Sequence, residues 1–84
     1  MGSIKVLALL NYLILIAQVE EVESELGGPD CKLIKAFVVN PDETLEPFLG
    51  SYTSQDTFMM ISDKILTLVD PKPTLLEKYQ NLTK

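Results

Sequence analysis

Cys31 is the sole cysteine of the chain, and no histidine or arginine accompanies it. A thiol becomes a catalytic nucleophile when a neighbouring base or cation holds it as thiolate, so Cys/His and Ser/His pairs are excluded at once, as are the usual Cys and His spacings of zinc sites. Twelve acidic side chains remain. Carboxylates alone do acid–base work only where a cleft shifts their pKa values, and 84 residues leave little room for one. No enzymatic activity, cofactor or metal is expected. The net charge is −5 and all seven bases are Lys, so the chain has no guanidinium forks with which to track phosphates, and an anionic bilayer surface would repel it. Nucleic-acid binding is therefore not expected. Asn81, Leu82 and Thr83 spell an N-glycosylation sequon close to the end of the sequence.

The elements that position these groups begin with a leader-like segment. Lys5 and the amino terminus precede VLALLNYLILIA, residues 6 to 17, apolar except for Asn11. That pattern predicts the n-region and h-region of a secretory signal, with cleavage after Ala17 or as late as Ser24. The run is too short to span a bilayer, which takes about 20 apolar residues, so no stable membrane insertion is expected. Residues 18 to 28 carry four Glu and end in Gly-Gly, which suggests an acidic flexible tail before a domain over residues 29 to 84. A secreted domain of that size buries a small core and needs a staple or a second chain.

Helical spacing dominates the rest. Asp30 suits an N-cap before Leu33, Ile34, Phe37 and Val38, a helix that must end before Pro41. Leu45, Phe48, Leu49 and Tyr52 predict a second helix over about 44 to 51, with Pro47 in its first turn. Phe58, Ile61, Ile65 and Leu68 repeat at 3, 4 and 3 within a stretch, residues 54 to 69, free of Gly and Pro, which predicts a third. Its apolar face, flanked by Met59, Leu66 and Val69, is wide enough to meet its own chain and a partner. Thr74-Leu75-Leu76-Glu77 is a capping box opening a final helix with Leu75, Leu76, Tyr79 and Leu82 on its stripe. The fold class expected is all-α, four short amphipathic helices per chain in a dimeric bundle.

Such a chain, with a Cys at the start of its first helix, resembles the secretoglobin (uteroglobin) family. The similarity runs over residues 31 to 84 and is closest in YTSQDTFMMISDKILTLVD, residues 52 to 70, where an aromatic, a polar capping turn and an apolar Lys-containing helix closing on Asp follow in order. It implies a homo- or heterodimer that encloses an apolar cavity for steroid- or lipid-like ligands. Cys31 matches the family's first cysteine and implies an interchain disulfide, with a buried free thiol as the alternative. The family's C-terminal cysteine has no counterpart after Leu82, its third cysteine reads Leu68, and the tyrosine that meets the ligand in some members falls near Leu45.

The residues that would line the cavity are Ile34, Phe37, Leu45, Phe48, Phe58, Ile61, Ile65 and Leu68, although apolar residues at helical spacing equally make plain core. The function this reading implies is sequestration of a small hydrophobic ligand by a secreted dimer. The alternative is a secreted regulatory factor that docks an apolar helix face on a receptor.

Overall fold

The computed structural model describes residues 3–23 and 28–84, and the chain is built from strands. In order these are β1 (Ser3–Leu9), β2 (Ile14–Glu21), β3 (Cys31–Val39), β4 (Leu45–Pro47), β5 (Thr57–Met60) and β6 (Ile65–Val69). A 3-10 turn over Ser62–Lys64 joins the last two, and α1 (Pro73–Leu82) closes the chain. The expected all-α, secretoglobin-like bundle is thereby overturned. Residues assigned to helices one to three form β3, β4, β5 and β6, and only the final helix is helical. It starts at Pro73, with Lys72 as N-cap and no side-chain cap bond, so the Thr74 capping box is not made.

All the pairings are antiparallel. The strand order is β4-β3-β2-β1-β6, and β5 pairs with β3 beside β4. β3 is thus flanked on one edge by two successive short strands, β4 against Phe37–Val39 and β5 against residues 31–34. β5 and β6 lie at opposite margins of the row, yet only Ile61 and the 3-10 turn connect them. A flat row of five strands is about 19 Å wide at about 4.8 Å per step. Four residues, three of them rising only about 2 Å each, do not cover that distance, so the sheet curls into a small open barrel.

Alternation along the strands then sorts side chains to two sides. Leu7, Leu9, Leu15, Ala17, Leu33 and Ala36 fill the concave side, where Phe48 and Phe58 meet edge to face with centroids 5.2 Å apart. On the convex side Ile16 packs with Leu75 and Tyr79 of α1, and Phe37 meets Tyr79 in a T-shaped contact at 5.9 Å. The run 6 to 17, read above as an h-region, forms the β1–β2 hairpin at the middle of the sheet, with Leu7, Leu15, Ile16 and Ala17 fully buried. Cleavage after Ala17 would remove β1 and half of β2. The later cleavage point at Ser24, and residues 24–27 of the expected acidic tail, lie outside the described residues; Gln18–Glu21 of that tail are the end of β2.

The curl is concentrated at one defect. Opposite Ile16 and Gln18 of β2 stand Phe37 and Ile34 of β3, so β3 carries an extra residue there, and Lys35 takes a left-handed φ of 54°. A bulge bends the strand and leaves backbone groups without ladder partners. Here the carbonyls of Ile34, Lys35 and Ala36 and the amide of Ala36 each find one. The Tyr79 hydroxyl donates to the carbonyls of Ile34 (3.1 Å) and Lys35 (2.9 Å). The Ala36 amide donates to the Asp56 carbonyl at 3.1 Å, and the Ala36 carbonyl accepts from the Phe48 amide at 3.0 Å. Lys35 Nζ reaches the Thr83 carbonyl at the end of α1 (3.1 Å). Burial pushes the Tyr79 hydroxyl above its ordinary pKa, partly countered by the Gln18 amide and reinforced by the charge of Asp56, so the hydroxyl is a donor throughout the neutral range.

Replacing Tyr79 by Phe keeps the ring on Phe37 and leaves two buried carbonyls without their donor. Urea unfolding of Tyr79→Phe is expected to show a loss of about 1–3 kcal/mol. The same deletion at Tyr52, which is 86% exposed, is expected to stay within about 0.5 kcal/mol of the parent.

Candidate functional site

Where the barrel fails to close between β5 and β6, a cleft of about 420 Å³ opens on the concave side. Val19, Cys31, Ile65 and Leu68 give it an apolar floor, and Lys5 and Glu21 stand at its margin. Lys5 is drawn to one side by an ion pair with Asp70, a contact of little energetic weight because the Asp70 side chain is 82% exposed. Leu68 opposes Leu7 in the β1–β6 ladder. Its side chain therefore points to the concave side with the rest of the core, yet it is 44% exposed because none of the described residues covers the gap.

One end of the cleft is clasped. Asp30, the residue before β3, accepts from the Ser62 amide through Oδ1 and from the Ser62 hydroxyl through Oδ2, both at 2.7 Å. The Asp30 amide donates to the Met60 carbonyl at 3.3 Å. The start of β3 is thus tied to the β5–β6 turn, and the two hydrogen bonds from Ser62 hold the Asp30 carboxyl below the usual aspartate value. Asp30 therefore caps no helix, since β3 follows it; its carboxylate instead binds Ser62 of a turn 32 residues away.

Cys31 lies at the floor of the cleft and is only 6% exposed. Burial pushes its thiol up, and the negative charges of Asp30 and Glu21 push it further the same way. This is the opposite of an activated thiolate, and a disulfide to a second chain would require the floor to open. The eight residues expected to line one cavity are divided by the sheet. Phe48, Phe58 and Ile65 pack against the concave core, while Phe37 and Leu45 pack under α1 on the convex side. Ile34 is half-buried and pairs across to Gln18 and Thr57. Ile61 sits half-buried in the linker, and only Ile65 and Leu68 border the cleft. Asn81 is exposed in α1. Among the described residues no group of three or more His, Cys, Asp or Glu side chains is placed to hold a metal ion, and no helix is long and apolar enough to cross a membrane.

A family model matches residues 2–84, almost the whole chain; its description is a family of unknown function, DUF6561. The chain belongs to the DUF6561 family. No curated protein matches it. Val19 and Ser62, which the sequence does not single out, line the cleft together with Lys5, read there as the charge of an n-region, and Asp30, read as a helix cap, clasps its end. Lys5 and Val19 belong to SIKVLAL and ILIAQVEE, two strands of one hairpin whose middle, residues 6 to 17, reads as a single apolar run.

The Asp30 clasp has a definite pH signature. A carboxyl whose folded pKa is lowered contributes stability that is complete above its unfolded value and is lost as pH falls through the folded one, which places the window below the ordinary 3.8. Asp42, held down by Thr44, has the same sign, so the comparison belongs in an Asp42→Asn background. There Asp30→Asn is expected to lower stability at pH 7 and to flatten the acid limb below pH 4 in a melting-temperature series; parallel curves would mean that the clasp does not titrate with folding.

Proposed function

We propose that this DUF6561 protein is a non-enzymatic assembly module that joins copies of itself head to tail, β6 of one copy pairing with β5 of the next. The observation that carries this reading is the open, uncharged and apolar edge of β6. An unpartnered edge strand offers a row of free amides and carbonyls, and monomeric proteins blunt such edges with Lys, Glu, Pro or a bulge that turns them away. β4 follows that rule: it has three residues, and two of them are Glu46 and Pro47. β5 (TFMM) and β6 (ILTLV) carry no charge and no proline. Met59, Leu66, Leu68 and Val69 are 50%, 59%, 44% and 49% exposed on them, in a chain whose net charge of −5 would otherwise keep copies apart.

Pairing of unlike edges is favoured over a symmetric β6–β6 contact because the chain presents two such edges of similar length, and a two-fold contact through β6 would leave β5 open. A neighbour's β5 laid along β6 also spans the gap above Leu68 and completes the concave core. This retains the expectation that the chain needs a partner, with the sheet edge in place of a helix face and of Cys31.

Light scattering coupled to size exclusion is expected to give a mass several times the 9.4 kDa of the chain. The double variant Leu68→Glu/Val69→Glu is expected to elute as a monomer with an unchanged far-UV spectrum, whereas Glu46→Gln on β4 leaves the assembly intact. A monomeric parent at micromolar concentration would overturn the proposal; if that monomer also bound an apolar fluorescent probe saturably in the cleft, the protein would be a carrier of small hydrophobic ligands instead.

A further inference from the structure

β5 and β6 share no ladder, so the offset between the two open edges is set by Ile61 and the 3-10 turn Ser62–Lys64 that joins them. Each end of that turn is anchored to a different margin of the gap. Ser62 is bound through its amide and its hydroxyl to Asp30, on the side of β3 and β5. Two residues on, the Lys64 carbonyl accepts from the Leu10 amide at 3.0 Å, on the side of β1 and β6. Between these anchors the Lys64 amide donates to the Ile61 carbonyl at 3.0 Å, and the Ile65 amide donates to the Ser62 carbonyl. The turn is a strut across one end of the gap.

Hydrogen bonds, and not packing, decide where this strut sits, because none of Ser62, Asp63 and Lys64 is buried. Asp30 can hold it because its own backbone is fixed. The Asp30 carbonyl accepts from the Val22 amide at 3.0 Å and its amide donates to the Met60 carbonyl at 3.3 Å, which seats the residue between the ends of β2 and β5. From there its carboxylate makes two charge-assisted bonds to Ser62, the stronger kind of hydrogen bond. Without the carboxylate, the long Asp30–Met60 bond is the tie that remains between Asp30 and the end of β5.

We propose that Asp30 and Ser62 are positioning residues for self-assembly: their clasp presents β5 and β6 at the one offset at which a copy donates one edge while it accepts on the other. The inference rests on the β5–β6 pairing between copies argued above. In a head-to-tail row every copy uses both edges at once, and successive junctions repeat only if the offset is the same in each copy. Edges free to shift against one another would have to be ordered at each junction, and that ordering is subtracted from the affinity. The clasp supplies the order beforehand. The Asp30 carboxylate and the Ser62 hydroxyl belong to neither β5 nor β6, so removing them leaves the chemistry of both edges as it was.

The test is the concentration at which the assembly half-dissociates, read by light scattering over a dilution series at pH 7. Asp30→Ala is expected to raise that concentration about tenfold or more. Adding Ser62→Ala to it is expected to change nothing further, as for two members of one interaction. Asp30→Asn, whose amide oxygen still accepts from the Ser62 amide, is expected to give a smaller shift in the same direction, so the comparison stands if the alanine variant does not fold. Ile16→Val is the control for stability alone: it trims a fully buried side chain under α1, lowers the melting temperature, and is expected to leave the half-dissociation concentration at the parent's. Asp30 variants that assemble like the parent, additive effects of the Asp30 and Ser62 substitutions, or an Ile16→Val protein that loses assembly as Asp30→Ala does would each overturn the clasp's role and leave the β5–β6 pairing standing. A monomeric parent would overturn both.

Discussion

The bulge at Lys35 is the constraint on which the rest of the molecule depends. It turns one long strand into two segments of different direction, so that β3 pairs with β4 at one end and β5 at the other. Without that bend β5 would continue away from β6 and the four-residue linker between them could not be drawn. The defect exposes carbonyls that water would otherwise solvate, and α1 meets that requirement: Tyr79 supplies the donor and the helix end supplies an acceptor for Lys35. The helix is therefore both a cover for the convex face around Ile16 and the element that makes the bend tolerable.

Curling without closing has a consequence at the margins. The barrel ends in two short strands joined covalently by a turn and clasped by Asp30, yet not hydrogen-bonded to one another. The gap leaves Leu68, a residue of the concave side, in view of solvent. An edge that is uncharged, apolar and next to an unfinished core leaves a monomer with unburied apolar surface and a risk of aggregation, and a second copy adding a strand there would remove both. The opposite margin shows how the same chain treats an edge it does not use, with Glu46 and Pro47 in a strand of three residues.

The bulges also explain why the sequence reads as helical. Residues facing the concave side of β3 are Cys31, Leu33, Ala36 and Val38, at spacings of 2, 3 and 2, because the extra residue at Lys35 shifts the alternation. A second irregularity between β1 and β6 separates the inward Ile65 and Leu68 by three positions. Phe58, Ile61, Ile65 and Leu68 then fall at 3, 4 and 3 although they lie on two strands and a turn. Period alone does not separate such a pattern from an amphipathic helix; the β-branched and aromatic run CKLIKAFVV was the compositional sign of a strand. The final helix was legible because Leu75, Leu76, Tyr79 and Leu82 follow at spacings of 1, 3 and 3, which strand alternation does not bring to one face, although the capping box expected at Thr74 is not made. The hairpin of β1 and β2 was hidden by being apolar on both faces, one turned to the barrel and the other to α1, which erases alternation in a strand buried on two sides. The cleft was not legible, since Lys5, Asp30 and Ser62 meet only after the sheet has curled.

Directional cross-linking tests the head-to-tail account most directly. In a Cys31→Ser background, one chain carries Met59→Cys on β5 and the other Thr67→Cys on β6, two positions that alternation places on the convex side and that a β5–β6 pairing between copies sets opposite or diagonal to one another. The account predicts that oxidation of the mixture gives a disulfide-linked dimer containing one chain of each kind, and that neither chain alone gives one efficiently. Efficient linkage of Thr67→Cys chains to each other, or no mixed dimer at concentrations where the parent is assembled, would contradict it.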